Sequence, residues 1–215
     1  KINNFSKIVA KNFWAVFFLI AVAIILFFVS YQDALANFLW HKYRSANLTL
    51  LLNRNNADLA MFIGNYYFNG VIGGGEYKPD IAFKAFKKAV SINPKILWGH
   101  YQLARIYFVR DDFDAALDEI NKELSANPEN LRSLYVRGLV FGYRALPGDL
   151  EKAEADFQRF TQWAPKEWAG YNDLAWILSK EGKHKEAKAA ILTAFGEISE
   201  SKSNPWFWNA LGVAE

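Results

Sequence analysis

The chain contains no cysteine, so disulfides, thiolate nucleophiles and thiolate-ligated metals are all closed to it. Histidine is sparse: His41, His100 and His184 lie far apart, with no HExxH or other metal-ligand spacing. No G-x-S-x-G nucleophile elbow occurs. The first 32 residues hold no acid, only Lys1, Lys7 and Lys11. Setting those three aside reduces the 25 bases to 22, which equals the 22 acids, so the formal charge of +3 belongs to the N-terminal tail and the body is neutral. Neutralising a phosphate backbone needs a concentrated basic surface, and its lack excludes nucleic acid as a partner. No catalytic residue, metal site or cofactor motif emerges, and the expectation is a protein that is not an enzyme.

What is present begins with a long apolar run. Phe13–Val29 reads FWAVFFLIAVAIILFFV, and with uncharged flanks it extends over residues 12–32. At about 1.5 Å per residue those 21 residues span roughly 30 Å, the hydrocarbon thickness of a bilayer. Trp14 and Tyr31 stand near its ends, where amphipathic rings favour the headgroup region. A buried core helix is disfavoured, because a short domain offers no place to cover a helix that is apolar all round. A cleaved signal peptide is the stronger rival, since lysines precede the run and Ala34-Leu35-Ala36 has the small-x-small form of a cleavage site. The run is longer than the roughly 7–15 residues of such a peptide, which favours an uncleaved single-pass anchor. Three lysines before the span against Lys42 and Arg44 after it favour the N-terminus inside and the remaining chain outside the cytoplasm. Residues 1–11 then form a basic tail. Lys1 in place of a starting Met, and a helix-like stretch cut at Glu215, suggest a piece of something longer.

The rest of the chain is periodic. Pro94 and Pro128 lie 34 residues apart in the similar endings SINP and SANP, and Pro165 follows 37 residues later. Each proline closes one amphipathic run and precedes another, a helix–turn–helix rhythm, because proline cannot continue the helix before it. In Leu97–Asn130 the pattern runs Leu103-Ala104, Tyr107, Phe113, Ala116, Ile120 and Pro128, with His100 and Glu123 as departures. In Trp168–Ser201 it runs Tyr171, Leu174-Ala175, Leu178, Gly182, Ala187, Ile191 and Ala194, with Pro205 late. Two further units are stretched. Ile63-Gly64, Tyr67, Ala82, Phe86 and Ala89 enclose an insertion with Gly70 and Gly73-Gly74-Gly75, and Leu134, Gly138, Phe141, Ala153, Phe157 and Phe160 enclose a long turn at Ala145–Asp149. Trp208, Leu211 and Gly212 open a fifth unit, with Trp206, Phe207 and Trp208 expected to be poorly covered. Upstream, Asp33–Leu52 reads as one amphipathic helix ending in the turn NRNN, so residues 33–56 are expected to link the membrane segment to the first unit and cap it.

These residues resemble the tetratricopeptide repeat, over about residues 57–215 and more loosely over 33–56. The resemblance implies an all-α solenoid, a right-handed superhelix of antiparallel helix pairs, here preceded by one transmembrane helix. The physical pattern agrees: Gly64, Ala104, Gly138 and Ala175 sit where paired helices must approach closely, and aromatic residues fill the adjoining space.

The resemblance also implies a concave groove lined by the first helix of each unit and open to a protein or peptide partner. Carried over position by position, the groove candidates are Met61, Asn65, Phe68, Tyr101, Arg105, Phe108, Tyr135, Leu139, Asn172 and Trp176. The carboxylate clamp of chaperone-binding repeats is rejected: Asn65 and Arg132 match it, but Met61, Gln102 and Val136 replace its other polar residues. Features that could suggest other chemistry have plainer readings. Gly73-Gly74-Gly75 lacks a following Lys-Ser/Thr and is followed by Glu76, so it reads as a flexible insertion. Asp111, Asp112 and Asp114 fall at a helix start, where the macrodipole favours negative charge, and with Asp118 and Glu119 they lack the spacing of a calcium loop. Lys84, Lys87, Lys88 and the lysines from Lys180 to Lys188 read as solvated helix faces, and His184 as a packing or surface residue. The expected role is a membrane-anchored scaffold or adaptor. The alternatives are the substrate-recognition arm of an enzyme such as a glycosyltransferase, with its catalytic part beyond residue 215, or a structural subunit of a membrane complex.

Overall fold

The computed structural model describes residues 2–69, 76–199 and 201–214, and the side chains of 2–12, 201 and 214 lie outside that description. The Gly73-Gly74-Gly75 insertion therefore falls outside the described residues. Within them the chain is all-α, with eleven helices and no strand. It divides into two compact units, Lys1–Ile92 and Asn93–Glu215.

The first unit opens with α1 (Ile2–Tyr43), a continuous helix of 42 residues, or roughly 60 Å. From Phe13 onward it is long and apolar enough to cross a membrane. Phe13, Trp14, Phe17, Phe18 and Phe27 are each more than half exposed. The helix expected over Asp33–Leu52 is instead divided. Arg44 turns to a left-handed φ of 51°, which ends α1, and α2 (Ala46–Leu52) follows. Nothing separates residues 32 and 33, because α1 runs through them.

The end of α1 is fixed to α3 (Ala57–Phe68). Trp40 is fully buried, with the rings of Phe62, Tyr66 and Tyr67 at 6.2, 5.3 and 6.1 Å. The Arg44 guanidinium lies over Trp40 at 5.1 Å. The NRNN turn is closed by its asparagines: Asn56 N–H donates to Asn53 Oδ1 at 3.1 Å, Asn53 Nδ2 donates to Asn56 O at 2.7 Å, and Asn56 Oδ1 caps α3 through Leu59 N–H at 2.9 Å. The carboxylate of Asp33, on α1, accepts from Arg54 and Asn55 N–H in the same turn. Helix α3 pairs with α4 (Pro79–Ile92), and a Cβ on Gly64 would land on the Phe86 ring, so glycine is what permits this pair to close.

The second unit consists of the pairs α5 (Gly99–Val109) with α6 (Phe113–Ala126), α7 (Arg132–Arg144) with α8 (Asp149–Trp163), and α9 (Trp168–Lys180) with α10 (His184–Glu197). Helix α11 (Pro205–Ala214) packs on α9 and α10. Phe157 closes against Gly138, where an added Cβ would come within 2.9 Å of its ring. Phe207 is fully buried against Trp168 and Phe195, contrary to the poor cover expected there, while Trp206 and Trp208 are exposed.

The turns inside the α5–α6 and α9–α10 pairs are equivalent. Asp111 (φ 58°) and Gly182 (φ 76°) are both left-handed, and the next residue's N–H reaches back to Tyr107 O at 3.0 Å and Leu178 O at 2.8 Å. The longer third turn is held by Asp149, only 1% exposed, which takes Arg144 Nε at 2.9 Å, Arg144 Nη2 at 3.0 Å and Leu146 N–H at 3.1 Å. The Arg144 guanidinium, helped by the Leu146 amide and against the cost of burial, holds the Asp149 carboxyl below the usual carboxylate range. A depressed folded pKa gives stabilisation that is complete above the unfolded aspartate value of about 3.9 and fades as pH falls through the folded one. The Asp149→Asn variant is therefore expected to unfold at lower urea than the parent at neutral pH, with the gap narrowing in acid. A gap that does not change with pH would contradict this role.

Candidate functional site

The first helices of the second unit, α5, α7 and α9, present one side-chain row that begins at Phe108. Its ring meets Tyr143 at 5.4 Å, and Tyr143 meets Trp176 at 5.1 Å. Lys180 completes the row, with its ammonium 4.6 Å from the Trp176 ring and donating to Gly142 O at 2.9 Å. This lysine is therefore engaged rather than simply solvated. Lys183 is likewise paired, with Glu154 at 2.6 Å and Glu181 at 3.1 Å.

Beside the row lies an open cavity of about 320 Å³ between α7, α9 and α11, with Leu139, Tyr143, Asn172, Asp173, Trp176 and Trp206 in its walls. At its polar end Tyr135 O–H donates to Asp173 Oδ2 at 2.7 Å, and Asn172 Nδ2 donates to Asp173 Oδ1 at 3.1 Å. Burial pushes the Asp173 carboxyl above its usual range, against the pull of those two hydrogen bonds. Burial and the adjacent Asp173 carboxylate together push the Tyr135 phenol well above its ordinary value.

Leu139, Asn172 and Trp176 are thus brought together at one cavity. Phe108 joins them through Tyr143, and Tyr135 through Asp173. Arg105 is partly exposed on α5, donating to Gln102 Oε1 at 2.8 Å and lying 5.8 Å from the Tyr101 ring. Tyr101 itself is buried in the α5–α6–α7 core. In the first unit Met61 and Phe68 are buried too, Phe68 against Tyr77 and Phe86, which leaves Asn65 as the partly exposed candidate there. Arg132 pairs with Glu167 at 3.0 Å.

Sequence reasoning missed Tyr143, Asp173 and Trp206. Tyr143 stands four residues after Leu139, and Asp173 three before Trp176, spacings that put each on the helix face already chosen. It noted Glu123 only as a departure from the repeat pattern and gave it no role; the residue is fully buried. This carboxylate takes Trp98 N–H at 3.0 Å and Tyr101 N–H at 3.2 Å from the start of α5, and Asn127 and Asn130 amides at 3.1 and 2.9 Å. It does what a cap side chain would do for a helix whose N-cap, Trp98, supplies none. The acidic group on α6 is equally structural: Asp112 caps the helix through Ala115 N–H at 3.3 Å, Asp114 meets Arg144 at 2.6 Å, and Glu119 meets His100 Nδ1 at 2.6 Å.

Antiparallel helix pairs closed by small–aromatic contacts, each packed on the next in the second unit, have the arrangement of a tetratricopeptide repeat solenoid. The tetratricopeptide repeat model matches residues 169–197, which fall in α9 and α10. A crystal structure of MamA is 22% identical with a TM-score of 0.62, covering 74% of this chain and 88% of that one. A second MamA crystal structure is 19% identical with a TM-score of 0.63, covering 81% and 92%. The thermophilic tetratricopeptide repeat protein TTC0263 of Thermus thermophilus is 19% identical with a TM-score of 0.58, covering 74% and 81%. No curated protein matches by sequence. The shared property is the fold: this chain is a tetratricopeptide repeat solenoid with an N-terminal helix long and apolar enough to cross a membrane.

Proposed function

We propose that the chain is a membrane-anchored, non-catalytic scaffold that binds a protein or peptide segment along α5, α7 and α9. Residues 12–32 are the anchor, residues 33–56 join it to the first repeat, and residues 57–215 are the repeat array, facing away from the cytoplasm. The observation that carries this reading is the open cavity bounded by Leu139, Asn172 and Trp176 and continuous with the Phe108–Tyr143–Trp176 row. Exposed aromatic rings beside a small number of polar groups are the usual makeup of a binding hot spot, because rigid rings lose little entropy on contact. The exposed rings of α1 support the anchor, since water is a poor solvent for a helix that is apolar on every side. Holding the groove at a bilayer raises the effective concentration of its partner there.

The combined variant Arg105→Ser, Asn172→Ala, Trp176→Ala is expected to weaken capture of specific partners from detergent extracts by roughly tenfold or more. Its helix content by circular dichroism should match the parent. Undiminished capture by this variant would remove the groove from the account.

A further inference from the structure

Asp173 differs from the other enclosed carboxylates of the second unit. Asp149 is bonded by Arg144, Asp156 by both Arg137 Nε and Nη2 at 2.7 Å, and Glu119 by His100 and Lys122. Glu123 lacks a base but takes four N–H donors. Asp173 has two neutral donors, Tyr135 and Asn172, and no lysine or arginine beside it among the described residues. A carboxylate has about four lone-pair sites, so roughly half of its accepting capacity is unused. Among the described residues it is also the acid that lines the cavity, together with Tyr143, Trp176 and Trp206.

A carboxylate among aromatic faces suits one kind of guest. The faces attract a cation through their quadrupoles and cover an aliphatic stem, while the carboxylate completes the charge pair. We infer that this cavity holds a lysine or arginine side chain of the bound segment, with its charged head on Asp173 and its stem against Trp176 and Trp206. The inference rests on the groove reading above. The opposite end of the row carries Lys180, two helical turns or about 10 Å from Asp173, so a second base next to it is disfavoured and the segment is given a direction. The volume of about 320 Å³ lies at the small end of ligand cavities, a scale that suits one inserted side chain rather than a folded partner.

The test uses the full chain in detergent micelles and a random heptapeptide library displayed on phage, selected in parallel on the parent and on Trp176→Ala. Synthetic copies of the enriched peptides are then titrated against the parent and Asp173→Asn, which retains an oxygen to accept from Tyr135. The expected result is enrichment of Lys or Arg at one fixed position. Binding should fall about tenfold in Asp173→Asn, and replacing that basic residue by norleucine should cost the parent a similar factor but Asp173→Asn almost nothing. The norleucine comparison on the parent stands even if Asp173→Asn folds poorly. Trp176-dependent peptides with no basic position, or with an acidic one, would overturn the charge assignment and leave the groove standing. Selection that yields no Trp176-dependent peptide would overturn both.

Discussion

Replacing Trp40 by Ala is expected to destabilise the first unit by about 3–5 kcal/mol, the usual cost of emptying a large aromatic site. Trp40 is fully buried, and three aromatic rings of α3 together with the Arg44 guanidinium surround it. Removing the indole therefore deletes the aromatic contact between the long apolar helix and α3. Trp40→Phe should cost much less, because the buried indole N–H has no hydrogen-bond partner to lose and a ring still fills most of the space. Amide hydrogen exchange of the full chain in detergent is the suitable measurement, since it resolves units that open separately. Protection in α2 and α3 should collapse in the Ala variant while α7–α10 retain theirs. Unchanged protection in α3 would mean that α1 is not anchored through this residue.

The second large effect is expected at Glu123. Its truncation to Ala leaves two amides at the start of α5 and the side-chain amides of Asn127 and Asn130 without the fully buried carboxylate that accepts from them. A hydrogen bond to a charged group is worth about 1.5–3 kcal/mol and stranded buried donors add to the loss, so a deficit of about 3 kcal/mol or more is expected. Glu123→Gln keeps one accepting oxygen and should fall between Ala and the parent. Urea denaturation followed by circular dichroism tests this order. If Ala and Gln cost the same small amount, the carboxylate is not what holds the start of α5.

Much of the fold was legible because the repeat imposes a recurring constraint. Gly64 facing Phe86 and Gly138 facing Phe157 follow from a repeat pattern, stretched in these two units, that places a small residue opposite a large one. The break at Arg44 was not legible, since Tyr43-Arg44-Ser45 contains neither Gly nor Pro and the left-handed turn falls on an ordinary residue. Groove residues were legible only by face. The family resemblance pointed to one face of α5, α7 and α9, yet it could not separate Tyr101, sunk into the core, from Trp176 at the cavity, because that depends on what the neighbouring helix supplies. Asp173 and Glu123 illustrate the same limit. Each is a carboxylate in a helical pattern, and only three-dimensional partners reveal one as a spare acceptor in a cavity and the other as a buried cap.

The central claim, that the α5–α7–α9 face receives the partner, is tested most directly by photocrosslinking in intact cells. A benzophenone side chain is introduced at Tyr143, more than half exposed in the cavity wall, and separately at Leu192, about half exposed on α10 outside the cavity walls. The account predicts a discrete, light-dependent protein adduct from position 143, weakened by Trp176→Ala, and no such adduct from position 192. Adducts from 192 alone would contradict it and move the partner surface to the second helices.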